Sequence, residues 1–335
     1  MQNKEIFNQF KALSNMKDND RYYEVIPIPN CLHKIGCSKE GYPKFFIATS
    51  GDIIQTKNTI LNILCVEYNL LCKYIDDDNH EVSEYYTVIT LKSNEINLQE
   101  DFVDLVVMML SRLPNMPTKK DISIEVENLI SIFSAMACPP RKKIQGLWAE
   151  LLVIERSNSP EVLVKAWHEL PNSKYDFTMG GDKIEVKSTS SENRTHHFSL
   201  EQLSPSKHSN IVVASSIVRE SAQCEGGLNI SDLFDKICNR NISIDARIHI
   251  MKVIADTIGS DIHKMNTIYF DYIGASDSLK FYDANKIPGI DKVAVDSAVT
   301  SVGFISNLTG IEDIFSQNSD INIAESLLYE SLFNN

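Results

Sequence analysis

The chain has 335 residues, 43% of them hydrophobic and 23% charged, with 13 glycines and 11 prolines. This is ordinary globular usage, long enough for two or three domains, and it excludes a small stapled scaffold, a low-complexity chain and a disordered one. The balance of 32 Lys+Arg against 45 Asp+Glu, a net charge of −13, repels nucleic acid on average, so any such contact must be decided locally.

The start, MQNKEIFNQFKALSNMKDNDRYY, has neither the basic opening nor the apolar run of a secretory signal, and no uninterrupted apolar run approaches spanning length. The expectation is a soluble cytoplasmic protein with no membrane partner. The seven cysteines, at 31, 37, 65, 72, 138, 224 and 238, are scattered and form no C-x-x-C. They read as reduced thiols.

From Tyr22 to about Leu91, short β-branched and aromatic runs (YYEVIPI, KFFIATS, NILCVEYNLLCKYI, YYTVITL) alternate with turn residues and predict a β-rich N-terminal domain. Helical spacing follows over Asp101–Arg112, and the two prolines of LPNMPTKKD interrupt it. This places a domain boundary at 118/119, with an N-terminal domain over 1–118 for recognition or partner contacts and a second domain over 119–335. Ile122–Met136 and Lys143–Arg156 read as helices, the first stopped by Cys138-Pro139-Pro140. Strands are expected at His196–Leu200 and Asn210–Val218, helices at Ser231–Asn239 and Ile244–Ile258, strands at Thr267–Ile273 and within Asp291–Ile305, and a terminal helix near Asn322–Leu332. The order predicts an α/β or α+β fold with a mixed sheet.

The chemistry concentrates in DFTMGGDKIEVKSTS, Asp176–Ser190. Gly180-Gly181 between two β-patterned runs predicts a hairpin, since a primed turn needs positive φ. Opposed residues then have numbers summing to 361, and Asp176 faces Glu185. Like charges directly opposite are destabilising, unless a divalent cation lies between them. Period-2 alternation puts Lys187 on the face of Glu185, while Ile184 and Val186 turn to the other. Asp176 and Glu185, helped by the backbone carbonyl of Val186, are thus candidate ligands of Mg²⁺. Such a metal acts as Lewis acid and lowers the pKa of a bound water, which Lys187 orients or deprotonates. Metal-assisted phosphodiester hydrolysis is the reaction class this set serves.

In the preceding helix, Ile144, Leu147, Trp148, Leu151 and Ile154 form one apolar stripe with Glu150 at its edge. A carboxylate there wants a metal or Lys187 as partner, although Glu155 is the alternative acid of that helix. Gly146 would let a neighbouring backbone approach. Arg194, His196 and Gln202 supply donors suited to phosphates or bases, and of the adjacent histidines His196 is preferred over His197. Lys142 and Lys143 read as a solvated helix start, Trp148 and Trp167 as core or interface residues. No G-x-x-x-x-G-K-[ST], G-x-G-x-x-G or H-E-x-x-H occurs.

Asp176 followed by Glu185-Val186-Lys187, after a helix carrying Glu150, resembles the PD-(D/E)XK nuclease superfamily. GLWAELL, YDF, IEVKS and HHFSLEQL are similar to a group of bacterial PD-(D/E)XK family members found among restriction and phage-defence genes. The resemblance covers residues 143–218, with Tyr175 where the motif has proline. It implies Asp176 and Glu185 as metal-binding acids, Lys187 as the catalytic lysine and Glu150 as the helix acid. It implies a restriction-endonuclease-like core: a four-stranded mixed sheet with flanking helices, built from 174–179, 183–189, 196–200 and 210–218. The function implied is that of a deoxyribonuclease like the type II restriction enzymes, using Mg²⁺ with Mn²⁺ as substitute on DNA, in restriction or anti-phage defence. A homodimer or partner proteins of a defence system would accompany it. The alternative is a non-cleaving or conditionally active DNA-binding subunit of a multi-protein defence complex, favoured by the −13 charge without a clear basic face.

Overall fold

The computed structural model describes residues 2–13, 23–49, 58–75, 80–136, 138, 140, 143–168, 173–204, 209–223, 226–291, 295–296, 298–299, 301–315 and 325–332. Arg141, Lys142, Lys207, His208 and the first part of the expected terminal helix lie outside these residues. The chain forms two compact units, Met1–Cys138 and Pro139–Asn335. Among the described residues, no helix is long and apolar enough to cross a membrane.

The first unit runs α1 (Gln2–Leu13), β1 (Val25–Pro27), β2 (Lys34–Cys37), β3 (Pro43–Ala48), β4 (Thr59–Ile60), β5 (Leu64–Ile75), β6 (Glu81–Leu91), α2 (Ile96–Leu110) and α3 (Lys119–Ala135). Its six strands form one antiparallel sheet in the order β1-β2-β3-β6-β5-β4, as the alternating runs led one to expect of this region. Helix α1, with Ile6, Phe7 and Phe10 buried at helical spacing, was not read from the sequence.

The division at 138/139 differs from the expected boundary at 118/119, and an aromatic chain gives the reason. Phe45 of β3 meets Phe102 of α2 at 5.6 Å, and Phe102 meets Phe133 of α3 at 5.7 Å, both edge to face. The prolines of LPNMPTKKD break the helix without ending the core. Thr118 and Asp121 then start α3 afresh with a reciprocal capping box.

The second unit contains α4 (Ile144–Arg156), α5 (Pro160–Ala166), β7 (Phe177–Met179), β8 (Asp182–Thr189), β9 (Thr195–Ser199), β10 (Asn210–Ile217), β11 (Gly227–Leu228), α6 (Ile230–Cys238), α7 (Ile244–Ile258), β12 (Phe270–Asp271), α8 (Tyr272–Ser278), β13 (Lys280–Asp283), β14 (Gly303–Asn307) and α9 (Leu327–Glu330). A mixed four-stranded sheet runs β13-β10-β8-β7, with β8 and β10 parallel and both outer pairs antiparallel. It differs in membership from the sheet the resemblance implies. The segment 195–199 pairs instead with β14, and β13, absent from the sequence reading, takes the sheet edge. The expected strand at Thr267–Ile273 shrinks to two residues before α8 begins, capped by the Asp271 side chain on Gly274 N–H.

Helix α4 packs against β8 and is buried continuously from Leu147 to Glu155, so it is more enclosed than its single apolar stripe implied. Trp148 donates its indole N–H to Leu228 O at 2.9 Å and lies 5.3 Å from the Phe270 ring, a core position as expected. A Cβ at Gly146 would meet nothing within 4 Å, so no backbone uses that gap and the expected close approach is not made. The buried Tyr329 of α9 ties the two parallel strands: its hydroxyl donates to Asn210 O at 2.8 Å and accepts from Lys183 N–H at 3.2 Å.

Candidate metal and catalytic site

Strands β7 and β8 meet in the register Phe177↔Ile184, Thr178↔Lys183 and Met179↔Asp182, every pair summing to 361. Gly180 takes φ 57°, the positive value a primed two-residue turn requires. Asp176 stands one residue before β7, so the hairpin carries it to the level of Glu185 and Val186. Its Oδ2 accepts the Val186 N–H at 2.8 Å. Because N–H and C=O of one strand residue point to the same side, the Val186 carbonyl faces Asp176 too.

Glu185 and Lys187 share a face of β8. Lys187 Nζ donates to Glu185 Oε1 at 2.7 Å, and Gln202 closes the triangle, donating Nε2–H to the same oxygen at 2.6 Å while its Oε1 accepts from Lys187 at 3.3 Å. Gln202 is itself fixed, because its Oε1 accepts the Ser199 N–H at 3.1 Å in a capping box on the short 3₁₀ turn Leu200–Leu203. The Phe198 ring lies 5.0 Å from the ammonium, a cation–π contact. Gln202 therefore belongs to the site as a positioning residue of Lys187 and Glu185.

Glu150 reaches the other side from α4. Its carboxylate is buried, and Oε2 accepts the Trp167 indole N–H at 2.8 Å and lies 2.9 Å from His168 Nε2. His168 Nε2 is also 3.8 Å from Asp176 Oδ1. Glu150, His168 and Asp176 each offer one ligand atom, all within 4.8 Å of one another. Among the described residues this is the group of three such side chains close enough together to hold a metal ion. It shares Glu150 and Asp176 with the expected ligand set and adds His168, while Glu185 Oε1 accepts from Lys187 and Gln202. The other acid of α4, Glu155, lies elsewhere, accepting from Tyr272 OH at 2.8 Å with Lys236 at 3.7 Å.

The donor chemistry fits a divalent cation. Asp176, Glu185 and Glu150 keep only 6%, 5% and 3% of their surface, and three carboxylates withdrawn from water in one place are costly unless positive charge is near. Lys187 supplies such charge beside Glu185. Two carboxylates and an imidazole suit a divalent cation at the Glu150–Asp176 side.

All three residues expected to touch substrate have internal partners, Arg194 and His196 as well as Gln202. Arg194 is buried, and its guanidinium donates to Ser215 O at 2.7 Å, to Ser215 Oγ at 3.2 Å and to Ser278 O. It is spent on joining β9, β10 and the end of α8. His196, also buried, holds Ser215 Oγ at 2.9 Å. Burial, followed by the positive charges of Lys187 and Arg194, pulls its pKa down to about 4. Adjacent histidines do face opposite ways, and the outward one is His197.

Tyr175, in place of the motif's proline, packs against the cluster around Phe198 and donates its hydroxyl to Glu201 O at 2.8 Å. Burial first, then Glu185 and Glu201, push its pKa up to about 12, which keeps it a neutral donor. Sequence reasoning missed His168. It lies one residue beyond Trp167, in no motif, and its approach to Glu150 depends on a turn that the linear spacing does not announce.

A family model matches residues 6–309, nearly the whole chain; its description reads "Putative PD-(D/E)XK family member (DUF4420)". The chain belongs to this family, whose name places it among proteins with a nuclease-like core. No curated protein and no solved structure matches it.

Proposed function

We propose that the chain is a divalent-metal-dependent endonuclease that hydrolyses DNA phosphodiester bonds, in restriction or anti-phage defence. The observation that carries this reading is the convergence of Asp176, Glu185 and Lys187 on one hairpin with Glu150 brought against it from α4. Family membership supports the nuclease class, and the choice of DNA rests on the resemblance.

Each residue then has a task its geometry permits. A bound Mg²⁺ or Mn²⁺ supplies Lewis-acid stabilisation of the charge that develops on the phosphate. Asp176 and Glu150, fixed by the Val186 amide and the Trp167 indole, would hold that ion. Lys187 Nζ, held between Glu185 and Gln202, has one N–H left, which donates to a non-bridging phosphate oxygen or orients the attacking water. Phe198 shields the ammonium from one side. A double-strand cut would need two such sites, hence a second copy or a partner protein.

The test incubates the full chain with supercoiled, linear and single-stranded DNA, with Mg²⁺, Mn²⁺ or chelator, beside Asp176→Ala and Lys187→Ala. Metal-dependent cutting lost in both variants is the expected result. Cutting that survives both removes these residues from the mechanism. No cutting by the unaltered chain, with DNA still bound, favours the non-cleaving subunit of a larger complex, the reading to which the −13 charge lends weight.

A further inference from the structure

His168 follows α5 and takes φ 44°, a left-handed conformation that a non-glycine residue adopts only at some cost, although His is among the types that tolerate it best. Two neighbouring contacts hold it there. Trp167 forms an antiparallel bridge with Phe177, and His168 N–H donates to Asp176 O at 2.9 Å. The segment that presents the imidazole is therefore stitched to the residue whose carboxylate it approaches. Its backbone bond and its side chain both converge on Asp176.

The separations fall within the span of a coordination shell. With bonds of ~2.0–2.2 Å, ligands at right angles lie ~3 Å apart and opposed ligands ~4.3 Å apart. His168 Nε2 stands 2.9 Å from Glu150 Oε2 and 3.8 Å from Asp176 Oδ1, with all three donors inside 4.8 Å. A cation can join them with small side-chain adjustments. Trp167, donating to the same Glu150 oxygen at 2.8 Å, restrains the carboxylate as outer hydrogen-bond partners of metal ligands do.

Ligand type then bears on which cation is taken. Carboxylate, carbonyl and water suit Mg²⁺, whereas an imidazole nitrogen favours first-row transition ions, and Mg²⁺ rarely occupies sites with a nitrogen ligand. We propose that His168 is the third protein ligand of a nitrogen–oxygen site with Glu150 and Asp176, and that it makes the site select Mn²⁺ over Mg²⁺. This rests on the reading of the site as a metal centre and adds to it the identity of the third ligand and of the preferred ion.

The experiment uses the full chain without DNA. Mn²⁺ is titrated and followed by electron paramagnetic resonance, Mg²⁺ is added as competitor, and pulsed spectra of the bound ion are searched for ¹⁴N coupling. His168→Asn is the informative variant, because Asn also tolerates the left-handed backbone but offers no imidazole. The expected result is ¹⁴N coupling in the unaltered chain, absent in His168→Asn, with Mn²⁺ affinity falling about tenfold or more while Mg²⁺ affinity barely changes. Bound Mn²⁺ without ¹⁴N coupling, no Mn²⁺ binding at millimolar concentration, or an unchanged Mn²⁺ to Mg²⁺ preference in a folded His168→Asn would each overturn the proposal. Should that variant fail to fold, the coupling in the unaltered chain decides alone. DNA cleavage is measured separately: nitrogen-bound Mn²⁺ without cleavage defeats the nuclease reading only, and cleavage without nitrogen coupling defeats the His168 assignment only.

Discussion

The two sides of the site carry their negative charge differently. Glu185 is met by an ammonium and a carboxamide, Lys187 at 2.7 Å and Gln202 at 2.6 Å. Glu150 and Asp176 meet an indole, an imidazole and a backbone amide. The first side brings a full positive charge from the chain itself, and its geometry is set by β8 and one 3₁₀ turn. The second side sets an indole N–H, an imidazole and a backbone amide against two buried carboxylates, whose charge a bound cation would offset. The hairpin and that one 3₁₀ turn build the first. The second needs α4, the end of α5 and the hairpin together.

Breaking the chain's own positive charge should have the largest effect. Lys187→Ala is expected to lower the DNA cleavage rate by roughly 10³-fold, the scale for losing one donor to developing charge, and a plasmid-nicking assay in Mn²⁺ reads it. If the variant cuts at full rate, the two sides do not divide the work as proposed.

Arg194 separates site from scaffold. Arg194→Gln strands carbonyl and hydroxyl groups that now receive the guanidinium, and a loss of about 3 kcal/mol is expected in urea unfolding. The salt dependence of DNA binding should stay unchanged, since a buried arginine neutralises no phosphate. A shallower salt slope would return Arg194 to the DNA surface.

Removing only the positioning link has a smaller expected cost. Gln202→Ala leaves Lys187 and Glu185 paired but removes the carboxamide that braces them, and cleavage should fall about tenfold, the lower end for partners that orient functional groups. Mn²⁺ binding should be kept, because Gln202 belongs to the other side.

The least effect at neutral pH is expected from His196. Its folded pKa, about 4, lies below the ordinary histidine value of 6.5, so the unfolded chain binds the proton more readily between these values. The stability it contributes is complete above pH 6.5 and is lost as pH falls toward 4. Thermal unfolding of His196→Gln over this range should show a weaker loss on acidification than the unaltered chain. An identical pH profile would mean that His196 is not held neutral.

Much of the hairpin was legible because its cause is local. Two glycines fix the turn, the turn fixes the sum of 361, and period-2 alternation then places Glu185 with Lys187. Gln202 was visible as a donor but not as the brace between those two, since its position depends on Ser199 starting a 3₁₀ turn. Arg194 was misjudged for a related reason: charge in a sequence says nothing of the carbonyls that await it. The strand at 195–199 was found, yet its partner β14 begins over a hundred residues away, beyond the reach of any local pattern.

The sequence by itself determined the class of site, because the spacing of Asp176, Glu185 and Lys187 on a glycine turn is a matter of strand period and turn chemistry. It also determined the β-rich start and the helix carrying Glu150, both written in short-range apolar periodicity. Tertiary structure decided the rest: that α3 joins the first unit through Phe133, that β13 closes the sheet, and that His168 meets Glu150 and Asp176. These depend on contacts between residues far apart in the chain, where packing and the partnering of buried charge, not propensity, select the neighbour.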